Sequence, residues 1–186
     1  MASHIRERLL NDHHDVSGIL KRLLSDLHDW NVEAAYSKLD LFWARLAVHI
    51  RAEHLHLFPI VLNGLAASSD DAGAPDLREA QSVVEALRAD HDFFMRELPR
   101  ALGILRDFHA KIASPEDDAK LTEVGNIVLD VETRLATHNE IEEDKIYHWA
   151  GTILTSSEQT ELAKQINAEL ENRPPRFSLQ TWVTND

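Results

Sequence analysis

Histidine precedes glutamate by four residues at two places in this chain, His49 with Glu53 and His138 with Glu142. One helical turn separates such residues, so each pair shares a helix face. In both places the pair extends an apolar stripe. Leu39, Phe42 and Leu46 lead to His49, while Val124, Val128, Val131 and Leu135 lead to His138. A helix patterned in this way turns an imidazole and a carboxylate into its core along with its leucines. An ionised carboxylate left there without a partner is strongly unfavourable. A cation removes that cost, and imidazole with carboxylate is a ligand set suited to iron, manganese or zinc. The pattern predicts a helical core built around metal.

Punctuation elsewhere is sparse, with six glycines and six prolines in 186 residues. A first helix is expected over Ser3–His28, with Leu9, Val16, Leu20, Leu23 and Leu27 recurring at helical spacing. A second begins after Asn31, and Pro59 near its end should kink or stop it. Gly64–Pro75 reads as an exposed loop. A third helix covers about Asp76–Ala113, with a kink expected at Pro99 and Gly103. Ser114-Pro115-Glu116-Asp117 is a helix start signal for a fourth, which should end before Gly151. Ser156 or Ser157 would cap a shorter fifth helix to about Glu171, and Pro174-Pro175 opens an irregular tail. The expected fold is all-α: an up-down-up-down four-helix bundle over residues 1–151, with a short fifth helix and C-terminal tail over 152–186 that packs on the bundle or extends from it.

The remaining two long helices supply matching histidines. His13 belongs to the stripe Leu9, His13, Val16, Leu20, and His91 to Leu87, His91, Phe94, Leu98. Both stripes have offsets of 4, 3 and 4, and His14 falls off the first. Each histidine follows an aspartate, Asp12 or Asp90, which makes the chain two hairpins of similar plan. Counted from a turn near Trp30, His13 lies 17 residues before it, and His49 and Glu53 lie 19 and 23 after it. Counted from Ser114, the offsets of His91, His138 and Glu142 are 23, 24 and 28. Helical rise brings the three members of each hairpin to within about 3–9 Å of one level. Four imidazoles and two carboxylates therefore converge, which is enough for two ions with the glutamates between them.

Other function classes are disfavoured. A net charge of −13 opposes nucleic acid as a partner. No apolar run is long enough for a membrane span. The absence of cysteine leaves only nitrogen and oxygen donors and removes disulfides. A cytoplasmic location is expected.

At these residues the sequence resembles the hemerythrin-like (HHE) cation-binding domain. The matching motifs are Asp12-His13, His49-x-x-x-Glu53 followed by Leu57-Phe58-Pro59, Asp90-His91, and His138-x-x-x-Glu142, spread over about Ile5–Trp149. The resemblance implies two non-haem iron ions, bridged by carboxylates and an oxo or hydroxo group. It implies that His13 and His49 serve one iron, His91 and His138 the other, and that Glu53 and Glu142 bridge. Oxygen-carrying hemerythrins have a further histidine where this chain has Met95, and position 54, often acidic in the family, is His54. The four-His, two-Glu set is more similar to family members that react with nitric oxide or peroxide.

The expected function is thus binding of, or reaction with, a small oxidant such as oxygen, nitric oxide or peroxide. The alternatives are an iron or oxygen sensor or a storage module without turnover, or a bundle holding zinc or manganese. His56, three residues after Glu53, is a possible extra ligand or simply a solvated histidine near a helix end. Tyr147 is a possible donor near the site or a residue that closes the end of the bundle. Asp12 and Asp90 are either partners of the ligands or ordinary surface residues. No redox partner is specified.

Overall fold

A computed structural model describes residues 4–67, 76–108 and 116–178. The described residues contain helices and no strand. In chain order these are α1 (His4–His28), α2 (Val32–Ala52), α3 (Phe58–Ala67), α4 (Leu77–Phe108), α5 (Glu116–Ile141), α6 (Tyr147–Ile153) and α7 (Ser156–Leu170). Two short π-helical segments, Glu53–Leu57 and Glu142–Ile146, join α2 to α3 and α5 to α6 without a break. The described residues therefore form five rods.

The four long helices touch in a closed ring: α1 on α2, α2 on α4, α4 on α5, and α5 back on α1. Inside the ring lie Leu9, Val16, Leu20, Leu39, Phe42, Leu87, Phe94, Leu98, Val128 and Val131, all buried. Each large apolar side chain so removed from water contributes about 1.5–3 kcal/mol before entropy is counted. The shorter α7 packs on α1 and α2, and α3 packs on α4 and α6. No described helix is long and apolar enough to cross a membrane.

Local signals explain several boundaries. After α1 the chain turns through Trp30, whose φ of 58° is left-handed. Asn31 N–H bonds back to the Asp26 carbonyl and Trp30 N–H to that of Leu27, the double closure usual for a helix end with a left-handed residue. Asn31 then caps α2, its side chain accepting from Ala34 N–H. For α7 the cap is Thr155 rather than Ser156 or Ser157, with Glu158 reaching back to the Thr155 backbone.

Three expectations at helix ends are corrected. Pro59 does not stop its helix: it sits at the second position of α3, directly after a π segment. Its missing N–H is absorbed by that irregular turn. The fourth rod runs past Gly151 to Ile153. The expected loop at Gly64 is still helix to Ala67. The remainder of that loop, residues 68–75, and the expected cap at Ser114-Pro115 lie outside the described residues, as do 109–113, His109 and Trp182.

At Gly64 two rods approach closely. A Cβ there would lie 2.6 Å from Ile153 Cδ1 and 3.2 Å from its Cγ1. Gly64→Ala gains helix propensity of about 1 kcal/mol but overpacks this contact. Ile153→Val removes the clashing methyl. In a double-mutant cycle read by urea unfolding, the two changes should couple favourably by about 1 kcal/mol. Additive effects would show that α3 and α6 are not in close contact here.

Candidate metal centre

Each rod of the ring contributes to one buried cluster. α1 carries His13, α2 carries His49, α4 carries His91 and α5 carries His138, while Glu53 and Glu142 are the first residues of the two π segments. All six are buried, and both glutamates have no exposed surface. Their donor atoms form two groups, His13–His49–Glu53–Glu142 and Glu53–His91–His138–Glu142. The glutamates belong to both groups.

The spacing within the groups is narrow. His13 Nε2 is 3.3 Å from His49 Nε2, and His91 Nε2 is 3.0 Å from His138 Nε2. Glu53 gives Oε1 to His49 at 3.0 Å and Oε2 to His91 at 3.4 Å. Glu142 gives Oε2 to His13 at 3.3 Å and Oε1 to His138 at 3.2 Å. Donors about 2.1 Å from a shared ion stand about 3.0 Å apart at a right angle and about 3.4 Å apart at the tetrahedral angle. Every distance falls in that interval, and each carboxylate divides its two oxygens between the two groups.

The outer faces of the imidazoles fix which nitrogen points inward. His49 Nδ1 donates to Asp12 Oδ2 at 2.8 Å, and His13 Nδ1 to Glu143 Oε1 at 3.1 Å. His138 Nδ1 faces Asp90 Oδ2 at 3.4 Å. A carboxylate only accepts, so the Nδ1 atoms carry the hydrogens and neutral rings present bare Nε2 lone pairs to the centre. His91 Nδ1 meets His54 Nε2 at 2.9 Å instead. Both oxygens of Glu53 and Oε1 of Glu142 lack a hydrogen-bond donor altogether. Acceptors facing acceptors in a dry core is the arrangement a cation resolves.

Without a cation, protons take that place. Burial disfavours an imidazolium at His49, but Glu53 and Asp12 outweigh it and hold the ring well above its ordinary value. Burial is likewise overcome by Glu142 and Glu143 at His13, and by Glu142 at His138, so both are raised. His91 is pushed down to about 2 by burial and by His138 beside it. Burial and the facing charge of Glu142 push Glu53 up, whereas His138 and His13 overcome burial at Glu142 and hold it well below the carboxylate range.

Asp12 is itself buried and paired with the buried Arg45, whose Nη2 donates to Asp12 Oδ1 at 2.7 Å. The second hairpin repeats the device: Arg134 Nη1 lies 3.3 Å from Asp90 Oδ1. Both arginines precede a site histidine by four residues. Neither was singled out from the sequence, although an arginine between Phe42 and His49 on an apolar face was a visible signal. Glu143 was missed as well. It and Tyr147 are brought to the centre by a π turn, which a regular helical wheel cannot reproduce.

Tyr147 is fully in the site, its hydroxyl 3.0 Å from His13 Nε2 and 3.5 Å from Glu142 Oε2. Burial and the nearby Glu142 keep the phenol well above its ordinary value. His56 joins neither group, and His54 stands beside His91 instead. Met95 packs at the core margin. His14, His28 and His148 are exposed.

No family model, no curated protein and no solved structure matches this sequence. The side-chain arrangement is therefore the ground on which function is read.

The two arginines should behave differently when removed. Arg45→Ala removes the buried arginine from Asp12, leaving that carboxylate only its His49 N–H, and should cost about 3 kcal/mol of stability. Arg134 is 46% exposed, and Arg134→Ala should cost less than about 1 kcal/mol. Guanidinium unfolding of both variants checks the contrast, and equal losses would contradict it.

Proposed function

We propose that this protein is a hemerythrin-like, non-haem di-iron protein that binds or reacts with a small oxidant: oxygen, nitric oxide or peroxide. The observation that carries the reading is the set of buried, donor-less carboxylate oxygens and inward Nε2 atoms at ligand spacing. Under it, residues 1–151 are an up-down-up-down four-helix metal-binding bundle, with 152–186 as an appended helix and tail. His13 and His49 would hold one iron and His91 and His138 the other, with Glu53 and Glu142 shared between them. Nitrogen and oxygen donors without thiolate suit iron better than a structural zinc site, which is commonly closed by four ligands including cysteine.

When bound, the iron pair would supply open coordination positions and electrons for a diatomic or peroxide. The chain's own part is to hold and shield. Asp12, Glu143 and Asp90 orient the imidazoles and raise their basicity. Phe58 stacks on His91 at 5.9 Å and Phe94 meets His138 edge-on at 5.7 Å, which keeps that side apolar. Tyr147 offers a hydroxyl proton next to His13 and Glu142.

Metal analysis with anaerobic stopped-flow absorption tests the reading. Two irons per chain are expected, with a spectral change on mixing with at least one of oxygen, nitric oxide or hydrogen peroxide. Glu53→Ala should lose about one equivalent of iron. A colourless zinc protein, or iron inert to all three, would sink the proposal.

The pH dependence should reverse between the two forms. In the metal-free protein the raised values of His13, His49 and His138 contribute stability that is full below about 6.5 and lost as pH rises through their folded-state values. Asp12 and Glu142 are depressed, so their contribution is lost as pH falls below about 4. Iron needs neutral imidazoles, so the stabilisation it adds should grow from pH 6 to 8.5 while the metal-free Tm falls. Calorimetric melting with and without chelator measures both slopes. Parallel slopes would remove histidine ligation.

A second reading, a metal-state sensor read through the tail, has one observation in its favour. The C-terminal segment is pinned to α2, the helix that carries His49: Arg176 makes a two-pronged pair with Asp40 at 2.9 and 2.8 Å, and Arg51 donates to Glu169 at 2.6 Å. Iron-dependent protease sensitivity of that segment without oxidant consumption would favour it.

A further inference from the structure

The two ligand groups are related by the chain's internal repeat, which makes their differences readable position by position. In the repeat Arg-x-x-x-His-x-x-x-Glu, the residue after glutamate is His54 in one copy and Glu143 in the other, and the fifth residue after it is Phe58 or Tyr147. Each π segment delivers its own pair to the opposite hairpin's histidine. Glu143 and Tyr147 reach His13, while His54 and Phe58 reach His91.

Partner type and distance favour the same group, although Glu143 itself is 32% exposed. At His13–His49, both outer nitrogens meet carboxylates, at 3.1 Å and 2.8 Å. At His91–His138, one outer nitrogen meets an uncharged imidazole and the other a carboxylate at a longer 3.4 Å. Asp12 is held by a buried arginine, whereas Asp90 is 23% exposed and its arginine 46% exposed. A carboxylate behind a ligating imidazole raises its basicity and fixes its orientation, and removing such a partner lowers affinity about 10–100-fold. A neutral imidazole in that place does less. Tyr147 adds an oxygen to the first group only, at 3.0–3.5 Å from two of its donors, the same spacing the donors keep among themselves. The corresponding ring in the second group, Phe58, has no donor atom.

We propose that the two metal positions are unequal: the His13–His49 position, with the Tyr147 hydroxyl as an additional oxygen donor, binds its ion more tightly and fills first. This rests on the metal reading above and specifies which half of the site is the tight one. A phenol that joins a ferric ion does so as phenolate, releasing its proton to solvent, because the cation reverses the cost of its charge.

The test is titration of the metal-free full chain with ferrous iron under argon, followed by calorimetry. Two steps separated by at least about 10-fold in Kd are expected. Glu143→Gln should weaken the first step about 10-fold and leave the second unchanged. His54→Glu, which copies the stronger half into the weaker, should tighten the second step and bring the two together. Tyr147→Phe should weaken the first step, and it should abolish a visible tyrosinate-to-ferric band seen when a one-equivalent sample is oxidised. Far-ultraviolet circular dichroism confirms that each variant is folded, and His54→Glu tests the idea by a gain rather than a loss. Two equal steps, or Glu143→Gln acting on the second step, would overturn the inequality. A wild-type sample without the tyrosinate band would remove the donor role of Tyr147. Absence of iron binding in either step would instead overturn the metal reading itself.

Discussion

Six hydrogen-bond acceptors pointing at one another inside a dry core is the constraint on which this fold turns. Apolar packing alone would bring the four long helices together, since each carries a stripe of leucine, valine and phenylalanine. It would not choose their register. The carboxylates of Glu53 and Glu142 each span both ligand groups, so a slide of one helix by a single residue would break contacts in both. The polar centre therefore fixes the register that hydrophobic burial leaves loose. The cost of desolvating it must be met by positive charge, whether protons on the imidazoles or metal ions.

The two π segments follow from the same demand. Each starts at a buried glutamate shared by both groups and closes with an N–H bonding five residues back, Phe58 to Glu53 and Tyr147 to Glu142. Pro59 follows the first, but His148 holds the same place after the second, so proline is not their common cause. What they share is a buried carboxylate followed by two adjacent inward side chains, Leu57-Phe58 and Ile146-Tyr147. The extra residue in each turn shifts the phase of the helix so that both neighbours follow the glutamate into the core. The wide turn also brings the residue next to each glutamate within reach of a histidine on another helix.

Much of this was legible in the sequence because it obeys the 3.6-residue period. The rods, the stripes and the convergence of His13, His49, Glu53, His91, His138 and Glu142 on one level all follow from regular helical geometry. The residues that escaped lie where the period fails or where burial reverses an ordinary preference. On a regular wheel His56 shares the face of Glu53 and His54 points away; the π turn exchanges them. Arg45 escaped for the second reason, since arginine is rarely buried and its partner Asp12 lies on another helix. The repetition of Arg-x-x-x-His-x-x-x-Glu was nonetheless present in both halves, and comparing the copies residue by residue would have exposed it.

The same comparison shows that the two copies surround their histidines differently. The first copy's glutamate is followed by His54 and Phe58, the second's by Glu143 and Tyr147, and the fold sends each set across the ring to the other hairpin. Substitutions in one π segment therefore alter the surroundings of one ligand group while the bridging glutamates stay shared. A site built in this way can adjust the two halves separately without disturbing the scaffold that aligns them.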